Sequence, residues 1–463
     1  MSNFLPSSWL YPNTTEAAVK QQFIGCHLKD INPPAAVIDA AVVRRNCGTM
    51  LEAVKHLDIG FRAHVKTHKT TQITQLQVGD TKQVNLVVST VAEAEQLLPF
   101  LLESKGRGKS VSMLYGMPPP PSSLQRLGAL AKQLGPESLS VLLDHPDTID
   151  HLRQVSSSVW SKPIHSFIKV DTGYHRAGAE PQSSRMKAII EKLESNKDHF
   201  LLQGFYSHMG HSYGFSSPAE ALDGLVAEIT GAAEAAAMAG GKDVASKRLI
   251  ITVGATPTAT AAQNILAGGT DARAQMVKRV IQQMKEDYEI ELHAGVYPIL
   301  DLQQLATRAR PSTQEEVSTY LSTASLGLRI LVEVSSVYDD REKPQALIAA
   351  GTLALGREPC KSYPGWGVVT SWQDNSSSPA SGPVYGEEDR TGWIVGKISQ
   401  EHGILTWEGQ EQSMRRLKIG DKLMLWPNHA CVAGSGFGWY LIVDSESEDP
   451  DVVQDVWVRW RGW

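Results

Sequence analysis

A basic segment centred on Lys66 carries the side chains best suited to covalent chemistry. In the run FRAHVKTH (61–68), apolar residues alternate with nitrogen-bearing ones, which are Arg62, His64, Lys66 and His68. In a strand of period 2 these four lie on one face, where an anionic ligand would offset the unfavourable burial of positive charge. Such surroundings favour the neutral amine of Lys66, which condenses with a carbonyl to form a Schiff base. The alternative is an edge strand with a solvated basic face.

A second candidate for chemistry is an imidazole and a thiol two residues apart in the run PNHAC. In an extended segment, His429 and Cys431 lie on one face, where both can bind one zinc ion. Two protein ligands leave coordination positions for water and substrate, as a catalytic zinc requires. The alternative is a buried cysteine beside a hydrogen-bonded histidine.

Glycine-containing strand ends offer binding groups for an anion. The run TVGATPT contributes Gly254 and Thr256, and the run AGVY contributes Gly295 and Tyr297. Glycine-rich turns at late strands of a barrel commonly bind phosphate through backbone N–H groups. Each run taken singly also fits an ordinary turn. The run DTGYHR adds Arg176, which either lies near a cofactor ring or forms a salt bridge that caps the next helix.

These residues need a scaffold that brings several strand ends together. Short β-branched runs alternate with longer segments of helical periodicity between residues 61 and 298. This alternation predicts a parallel (β/α)8 barrel of the TIM type over residues 46–310. The polar strand ends, which include Lys66 and His208, then gather at its C-terminal rim. The eight predicted strands are 61–68, 83–90, 110–116, 139–145, 165–173, 202–211, 249–258 and 289–298.

The character of the chain changes after about residue 310, where helical periodicity is weak. Runs such as LRILVEV and DKLMLW indicate strands separated by turn residues. They predict a β-rich second domain over residues 311–463 that carries His429 and Cys431, with residues 1–45 packing on it. The polar, low-complexity run 371–392 is expected to be a surface loop without chemistry.

Composition restricts the functional class. The chain has 463 residues, and its 44 basic and 50 acidic side chains give a net charge of -6, which argues against a nucleic acid or an anionic membrane as partner. No run approaches the roughly 18 apolar residues of a membrane span, and the N-terminal run lacks the pattern of a signal peptide. The four cysteines form no CxxC pair and no disulfide framework. A cytoplasmic enzyme that acts on a small molecule is therefore expected.

Six motifs in order, over nearly the whole chain, resemble those of the zinc-dependent eukaryotic D-serine dehydratases. They are RAHVKTHKT, IKVDTGYHRAG, YSHMGHSYG, VGATPT, ELHAGVYPILD and PNHAC. These enzymes group with the D-threonine aldolases, whose alanine racemase-like barrel (fold type III) binds pyridoxal 5'-phosphate (PLP). The resemblance implies that Lys66 binds PLP covalently and that VGATPT and HAGVY hold its phosphate. It also implies that Tyr206 and Arg176 flank the ring or its polar atoms, and that His429 and Cys431 bind zinc.

Within the same motifs, His64 and His208 join the expected PLP-binding residues. The implied reaction is the loss of water from D-serine to give pyruvate and ammonia, with Lys66 as the base at Cα and zinc acting on the β-hydroxyl. Cys431 separates this family from the aldolases, which typically have an acidic residue there and a harder metal such as Mn2+. A D-threonine aldolase or a D-3-hydroxyaspartate dehydratase stays an alternative, and a non-catalytic PLP-binding protein is a remote one. Racemase-like relatives pair as dimers, which implies a homodimer.

Overall fold

The computed structural model of the chain describes residues 14–156, 159–160, 163–240, 243–244, 247–266, 272–311, 321–370, 372 and 391–463. The predicted surface loop 371–392 therefore lies outside the described residues, except at 372, 391 and 392. None of the helices in the described part combines the length and the apolar character needed to cross a bilayer.

Eight parallel strands close into a barrel, which confirms the predicted fold class. The first strand of the chain, β1 (Ala35–Asp39), is not one of them. The barrel strands are β2 (Gly60–His64), β3 (Gln83–Val88), β4 (Ser110–Tyr115), β5 (Leu139–Leu143), β6 (Ile164–Val170), β7 (Phe200–Ser207), β10 (Ile250–Val253) and β11 (Glu289–Ala294). Between β7 and β10, the strands β8 (Asp243–Val244) and β9 (Lys247–Arg248) form a separate two-stranded sheet. Pairing of β11 with β2 and of β10 with β7 completes the ring.

Helices alternate with the barrel strands and cover them. Several begin at polar caps such as Thr90, whose hydroxyl accepts the N–H of Glu93 at 3.1 Å, a contact that typically contributes about 1 kcal/mol. The helices from the N-terminus onward are α1 (Glu16–Phe23), α2 (Ala40–Leu57), α3 (Thr71–Val78), α4 (Val91–Gly106), α5 (Leu124–Leu134), α6 (Pro146–Ser156), α7 (Ser184–Glu194), α8 (Pro218–Ala237), α9 (Thr256–Ala261) and α10 (Ala272–Met284).

A nine-stranded sheet forms the second domain, in the order β13-β16-β15-β14-β17-β12-β1-β18-β19. Its strands after the barrel are β12 (Leu328–Tyr338), β13 (Gln345–Ile348), β14 (Gly367–Thr370), β15 (Gly392–Ile398), β16 (Gly403–Glu408), β17 (Lys422–Pro427), β18 (Trp439–Val443) and β19 (Asp455–Val458). Three short helices accompany them, α11 (Leu302–Thr307), α12 (Thr352–Leu355) and α13 (Ala430–Ser435). β1 lies inside this sheet, antiparallel to β12 and parallel to β18, so the N-terminal segment is part of it.

The predicted strand 61–68 is too long. β2 ends at His64, and the chain then turns so that the N–H of Lys69 donates to the carbonyl of Val65 at 2.9 Å. Lys69 has φ +51°, which ends any alternation of faces. The edge-strand alternative is also wrong, because β2 pairs with β11 on one side and with β3 on the other.

Candidate active site

A small cavity at the C-terminal end of the barrel brings most of the predicted residues together. Five of them come from the barrel and one from the sheet domain, and they are His64, Lys66, His208, Thr256, Gly295 and Cys431. The same wall includes Thr67 and Tyr213, which had not been assigned to the site, and His293, Ala294 and Val296 of the run HAGVY, which was expected to hold the phosphate. All except Tyr213 are sequence neighbours of predicted residues, and Tyr213 belongs to the motif YSHMGHSYG.

Lys66 reaches the cavity from the turn after β2. The N–H of Val65 still donates to the carbonyl of Val87 at 3.2 Å, and the Lys69 amine forms an ion pair with the buried Glu93 at 3.0 Å. The turn is therefore fixed on both sides of Lys66. The expected position of this lysine at the rim is met, although by a turn rather than by strand alternation.

Arg62 does not face this cavity, contrary to the expected single basic face. Its Nε donates to Glu291 at 2.8 Å, and both side chains are buried inside the barrel. Arg62 and Glu291 line a different cavity of about 700 Å³, among residues at the starts of the strands. The charge of Arg62 is thus offset by a carboxylate that lies far away in sequence.

Three imidazoles around the cavity are neutral. Burial, followed by the positive charge of Lys66 and other lysines, holds the pKa of His64 and His208 well below the ordinary value. Burial, and then the charge of Lys169, does the same for His293. Because the carbonyl of Gly254 can only accept, Nδ1 of His208 must donate to it at 2.8 Å. A neutral His208 then presents Nε2 as an acceptor.

The two glycine-containing runs pack closely against neighbouring segments of the barrel. Gly254 has φ +142°, and a Cβ there would lie 2.3 Å from the carbonyl oxygen of His293. A Cβ at Gly295 would lie 3.3 Å from Cβ of His64. The hydroxyl of Thr256 accepts the N–H of Val296 at 3.3 Å, which joins the two runs. We call these two runs, 254–258 and 294–296, the anion cradle.

The segment that carries the predicted zinc ligands, His429 and Cys431, has a different backbone conformation from the predicted one. We call these two residues the metal pair. β17 ends at Pro427, His429 is the N-cap of α13, and Cys431 lies in the first helical turn, so the segment is not extended. The Sγ atom of Cys431 lies 3.1 Å from the hydroxyl of Thr67, across the boundary between the domains. Nδ1 of His429 is buried without a hydrogen-bond partner, as a metal-binding nitrogen would be.

The surroundings of Cys431 favour the thiolate form of its side chain. Burial by itself would raise its pKa, but the neighbouring His429 and the positive charge of Lys66 outweigh burial and hold the pKa below the ordinary value. Thiolate is the form that binds zinc. Among the described residues, no group of three or more His, Cys, Asp or Glu side chains is arranged to hold a metal, so a zinc site built on this pair would need water or substrate as further ligands.

Several predicted site residues do not line the cavity, and they are Arg176, Tyr206, Gly254, Tyr297 and His429. Arg176 is exposed, with its guanidinium 5.0 Å from the ring centre of Tyr174. Tyr206 lies behind the wall and stacks on His293 at 4.1 Å, and Tyr297 packs edge-on against Phe61 at 5.5 Å. Their assigned contacts with a cofactor stay predictions.

Two buried ionisable groups behind the wall were missed. Lys169 lies 4.4 Å from the ring centre of Tyr206, and burial lowers its pKa to about 7. Glu228 is fully buried, accepts the N–H of Met209 and the hydroxyl of Thr258, both at 2.7 Å, and has its pKa raised by burial to about 7. A signal existed for Glu228, because it lies on the apolar face of the helical segment LVAEITG.

The comparisons with known proteins agree with this architecture. The family model described as "Alanine racemase, N-terminal domain" matches residues 38–273, and the one described as "Putative serine dehydratase domain" matches residues 327–443. The D-serine dehydratase of Schizosaccharomyces pombe is 34% identical over 461 residues, with 99% of this chain and 98% of that protein covered. The D-serine dehydratase of Saccharomyces cerevisiae is 30% identical, with 96% and 99% covered. The structure of D-threo-3-hydroxyaspartate dehydratase from Delftia sp. HT23 matches with a TM-score of 0.71 at 25% identity, over 94% of this chain and 100% of that one.

Proposed function

The chain belongs to the D-serine dehydratase family, within the alanine racemase-like fold, and on that basis we propose that it converts D-serine into pyruvate and ammonia. It is a PLP-dependent lyase. The observation that carries the proposal is the single cavity in which Lys66 of the barrel meets Cys431 of the sheet domain. An amine for a carbonyl cofactor and a thiol for a metal are the two groups that this elimination needs.

The residues present fit PLP. Lys66 would hold it covalently through its amine, and the anion cradle would hold the phosphate, with Gly254 and Gly295 allowing its two runs to pack closely against His293 and His64. Nε2 of His293 is buried at the cavity without a hydrogen-bond partner, so a polar ligand there would satisfy it. When bound, PLP supplies an electron sink for the bonds at Cα of an amino acid.

The residues present also fit zinc. Cys431 and the unpartnered Nδ1 of His429 would be its protein ligands, and a soft thiolate favours zinc over Mg2+ or Mn2+. When bound, zinc supplies Lewis-acid stabilisation for a leaving hydroxyl group. Thr67 lies against the thiol at 3.1 Å and orients it towards the turn that carries Lys66.

Side chains of the protein would carry out the proton transfer. Lys66 would remove the proton from Cα and hold it as an ammonium group. The imidazoles His64, His208 and His293 are neutral, so they neither repel this ammonium nor act as strong acids. A single lysine base approaches the substrate from one side, which predicts reaction with the D-enantiomer only.

The wall also favours D-serine over the acidic alternative substrate. D-3-hydroxyaspartate carries a second carboxylate, which would need a cationic partner. Among the described wall residues Lys66 is the one lysine or arginine, and it is assigned to the cofactor. The proposed substrate is therefore a small, neutral β-hydroxy D-amino acid.

The test is product analysis with purified, PLP- and zinc-loaded protein. D-serine should give pyruvate, measured by coupling to lactate dehydrogenase, and L-serine should give none. Glycine and acetaldehyde from D-threonine, without pyruvate from D-serine, would assign the chain to the aldolases instead. Oxaloacetate formed from D-3-hydroxyaspartate with a higher kcat/KM than pyruvate from D-serine would assign it to the other alternative.

Assembly and location are proposals of the same kind. We propose a homodimer, because racemase-like relatives pair in this way, and light scattering on the eluting protein would measure its mass. We propose a cytoplasmic location, since the cysteine usage suits a reducing compartment. Fractionation of cells that express the tagged full chain would test it.

A further inference from the structure

Tyr213 is firmly placed on the cavity wall. It belongs to a 3-10 turn, Gly210–Gly214, that follows β7. The amine of Lys361, from the sheet domain, donates to the carbonyl of Gly214 at 3.0 Å and to the hydroxyl of Ser216 at 3.1 Å. A Cβ at Gly210 would lie 2.2 Å from the ring of Tyr174, so the turn is packed closely at its start. The phenol therefore enters the cavity from a segment anchored at both ends.

The phenol lines the same cavity as Cys431. Burial raises the pKa of Tyr213 above its ordinary value, and Thr256 lies beside it on the same wall. The ordinary pKa of a tyrosine phenol is about 10, so the phenol keeps its proton at neutral pH. Tyr213 is thus an uncharged hydrogen-bond donor close to Cys431.

Other polar groups on the described wall are engaged in hydrogen bonds or assigned to the cofactor. The hydroxyl of Thr67 is engaged with Sγ of Cys431, and Lys66 is assigned to the cofactor. Nδ1 of His208 donates to the carbonyl of Gly254, which leaves its other nitrogen as an acceptor. Thr256, which lies beside Tyr213 on the wall, belongs to the anion cradle and would be engaged by a phosphate there. Nε2 of His293 is set against the cofactor, so among the described wall residues the Tyr213 hydroxyl is the side-chain donor left for a substrate.

We propose that Tyr213 is a catalytic residue whose hydroxyl donates a hydrogen bond to the β-oxygen of the substrate and so assists its departure. This inference rests on the proposed function. The electron pair of the Cα–H bond becomes the Cα–Cβ double bond, and the pair of the Cβ–O bond stays with the oxygen. The proton that Lys66 takes from Cα passes to that oxygen, and water leaves. Tyr213 keeps its own proton, and nothing is oxidised or reduced.

The test compares two leaving groups in wild type and Tyr213→Phe. With D-serine, loss of one donor to a developing oxyanion should lower kcat by about 10²-fold, with KM little changed. With β-chloro-D-alanine, chloride departs as a stable anion without a hydrogen bond, so kcat should change little. Zinc content, the visible absorbance of bound PLP and the melting temperature should match the wild type. Tyr174→Phe, which removes a phenol next to the wall, is the matched control and should leave both substrates unaffected.

Equal losses for both substrates, or no loss for either, would overturn the assignment of Tyr213. In the wild type, D-serine turnover should show a larger solvent isotope effect than β-chloro-D-alanine turnover, and equal effects would overturn it even if the variant did not fold. A wild type that eliminates chloride but yields no pyruvate from D-serine would instead overturn the proposed function. The two failures are therefore distinguishable.

Discussion

At the scale of single residues, the sequence identifies chemical types better than it identifies their partners. Lys66 and Cys431 were predicted because a lysine among histidines and an HxC pair are local signals. Arg62 was assigned to the same basic face, yet its partner is Glu291, 229 residues later in the chain. Glu228 was missed because its donors, Ser207, Met209 and Thr258, lie in other segments. Partners that are distant in sequence leave no pattern in one sequence.

Lys66→Ala should abolish both cofactor attachment and turnover. The lysine is expected to be the covalent partner of PLP and the base at Cα, and the neutral imidazoles nearby replace neither role. The measurement is the visible absorbance of the reconstituted protein together with pyruvate formation from D-serine. Lys109→Ala is the matched control, because Lys109 pairs with the exposed Asp80 and the variant should keep both properties. A borohydride-reducible PLP adduct in Lys66→Ala would contradict the assignment.

Glu228 should make stability depend on pH. Burial raises its pKa from 4.5 to about 7 in the folded state, so the folded protein binds more protons than the unfolded chain between these values. Its contribution is present below about pH 4.5 and is lost as the pH rises through 7, by an amount on the order of 3 kcal/mol.

The check for Glu228 is the melting temperature of wild type and Glu228→Gln from pH 5 to pH 8. The variant cannot ionise, so its stability relative to the wild type should improve as the pH rises. Lys169 faces Glu228 and titrates nearby, so Lys169→Met in the same series separates its share. Parallel curves for wild type and Glu228→Gln would contradict this prediction.

At the scale of elements, the alternation of strands and helices was predictable, while the ends of elements were not. The eight barrel strands and α4 follow from periodicity in local runs. The extension of β2 to residue 68 was wrong because a backbone hydrogen bond between Lys69 and Val65 closes a turn. The extended reading of PNHAC was wrong because Asp301, from a distant part of the chain, caps the N–H of Ala430 at 2.8 Å and starts a helix there. A local turn therefore ends β2, whereas a tertiary contact sets the start of α13.

Asp301→Asn should weaken zinc binding without disturbing PLP. Asp301 is buried and uses both carboxylate oxygens, accepting the N–H of Gln304 at 2.9 Å and that of Ala430 at 2.8 Å. An amide can accept at only one of these positions, so the start of α13 and with it Cys431 lose their fixed place. A fall in zinc affinity of about 10-fold to 100-fold is expected.

Zinc affinity of Asp301→Asn is measured by competition with a chelator, with the PLP absorbance recorded on the same sample. Asp444→Asn is the control, since Asp444 pairs with Arg44 at the surface of the sheet domain. Unchanged zinc affinity in Asp301→Asn would show that the metal pair is positioned by other contacts.

At the scale of the whole molecule, each domain could be predicted separately, and their contact could not. The barrel and the sheet have distinct patterns in the sequence, and β1 joins the sheet from the other end of the chain. The site forms where the turn after β2 meets α13, through Thr67 against Cys431 and the N–H of Trp460 donating to the carbonyl of Lys69 at 2.9 Å. No local run records such a contact, and the resemblance of ordered motifs was the signal that linked them.

The PLP-binding part of the site and the zinc-binding part are held by separate contacts. A chelator should therefore affect the second without affecting the first. The anion cradle is joined within the barrel through His208 to Gly254 and Thr256 to Val296, whereas Cys431 belongs to the sheet domain. EDTA treatment should therefore stop pyruvate formation while the visible absorbance of bound PLP persists. Added zinc should restore the wild type and should not restore Cys431→Ala.

Exchange of the Cα proton of D-serine with solvent deuterium, followed by proton NMR, measures removal of that proton separately from departure of the hydroxyl group. It should survive chelation, since that step needs Lys66 and the electron sink but not the group that acts on the β-oxygen. Full pyruvate production by metal-free protein would show that His429 and Cys431 are structural. Loss of exchange together with pyruvate would show instead that the metal also organises the barrel half of the site. Survival of exchange alone would assign Cα chemistry to the barrel and departure of the hydroxyl group to the sheet domain.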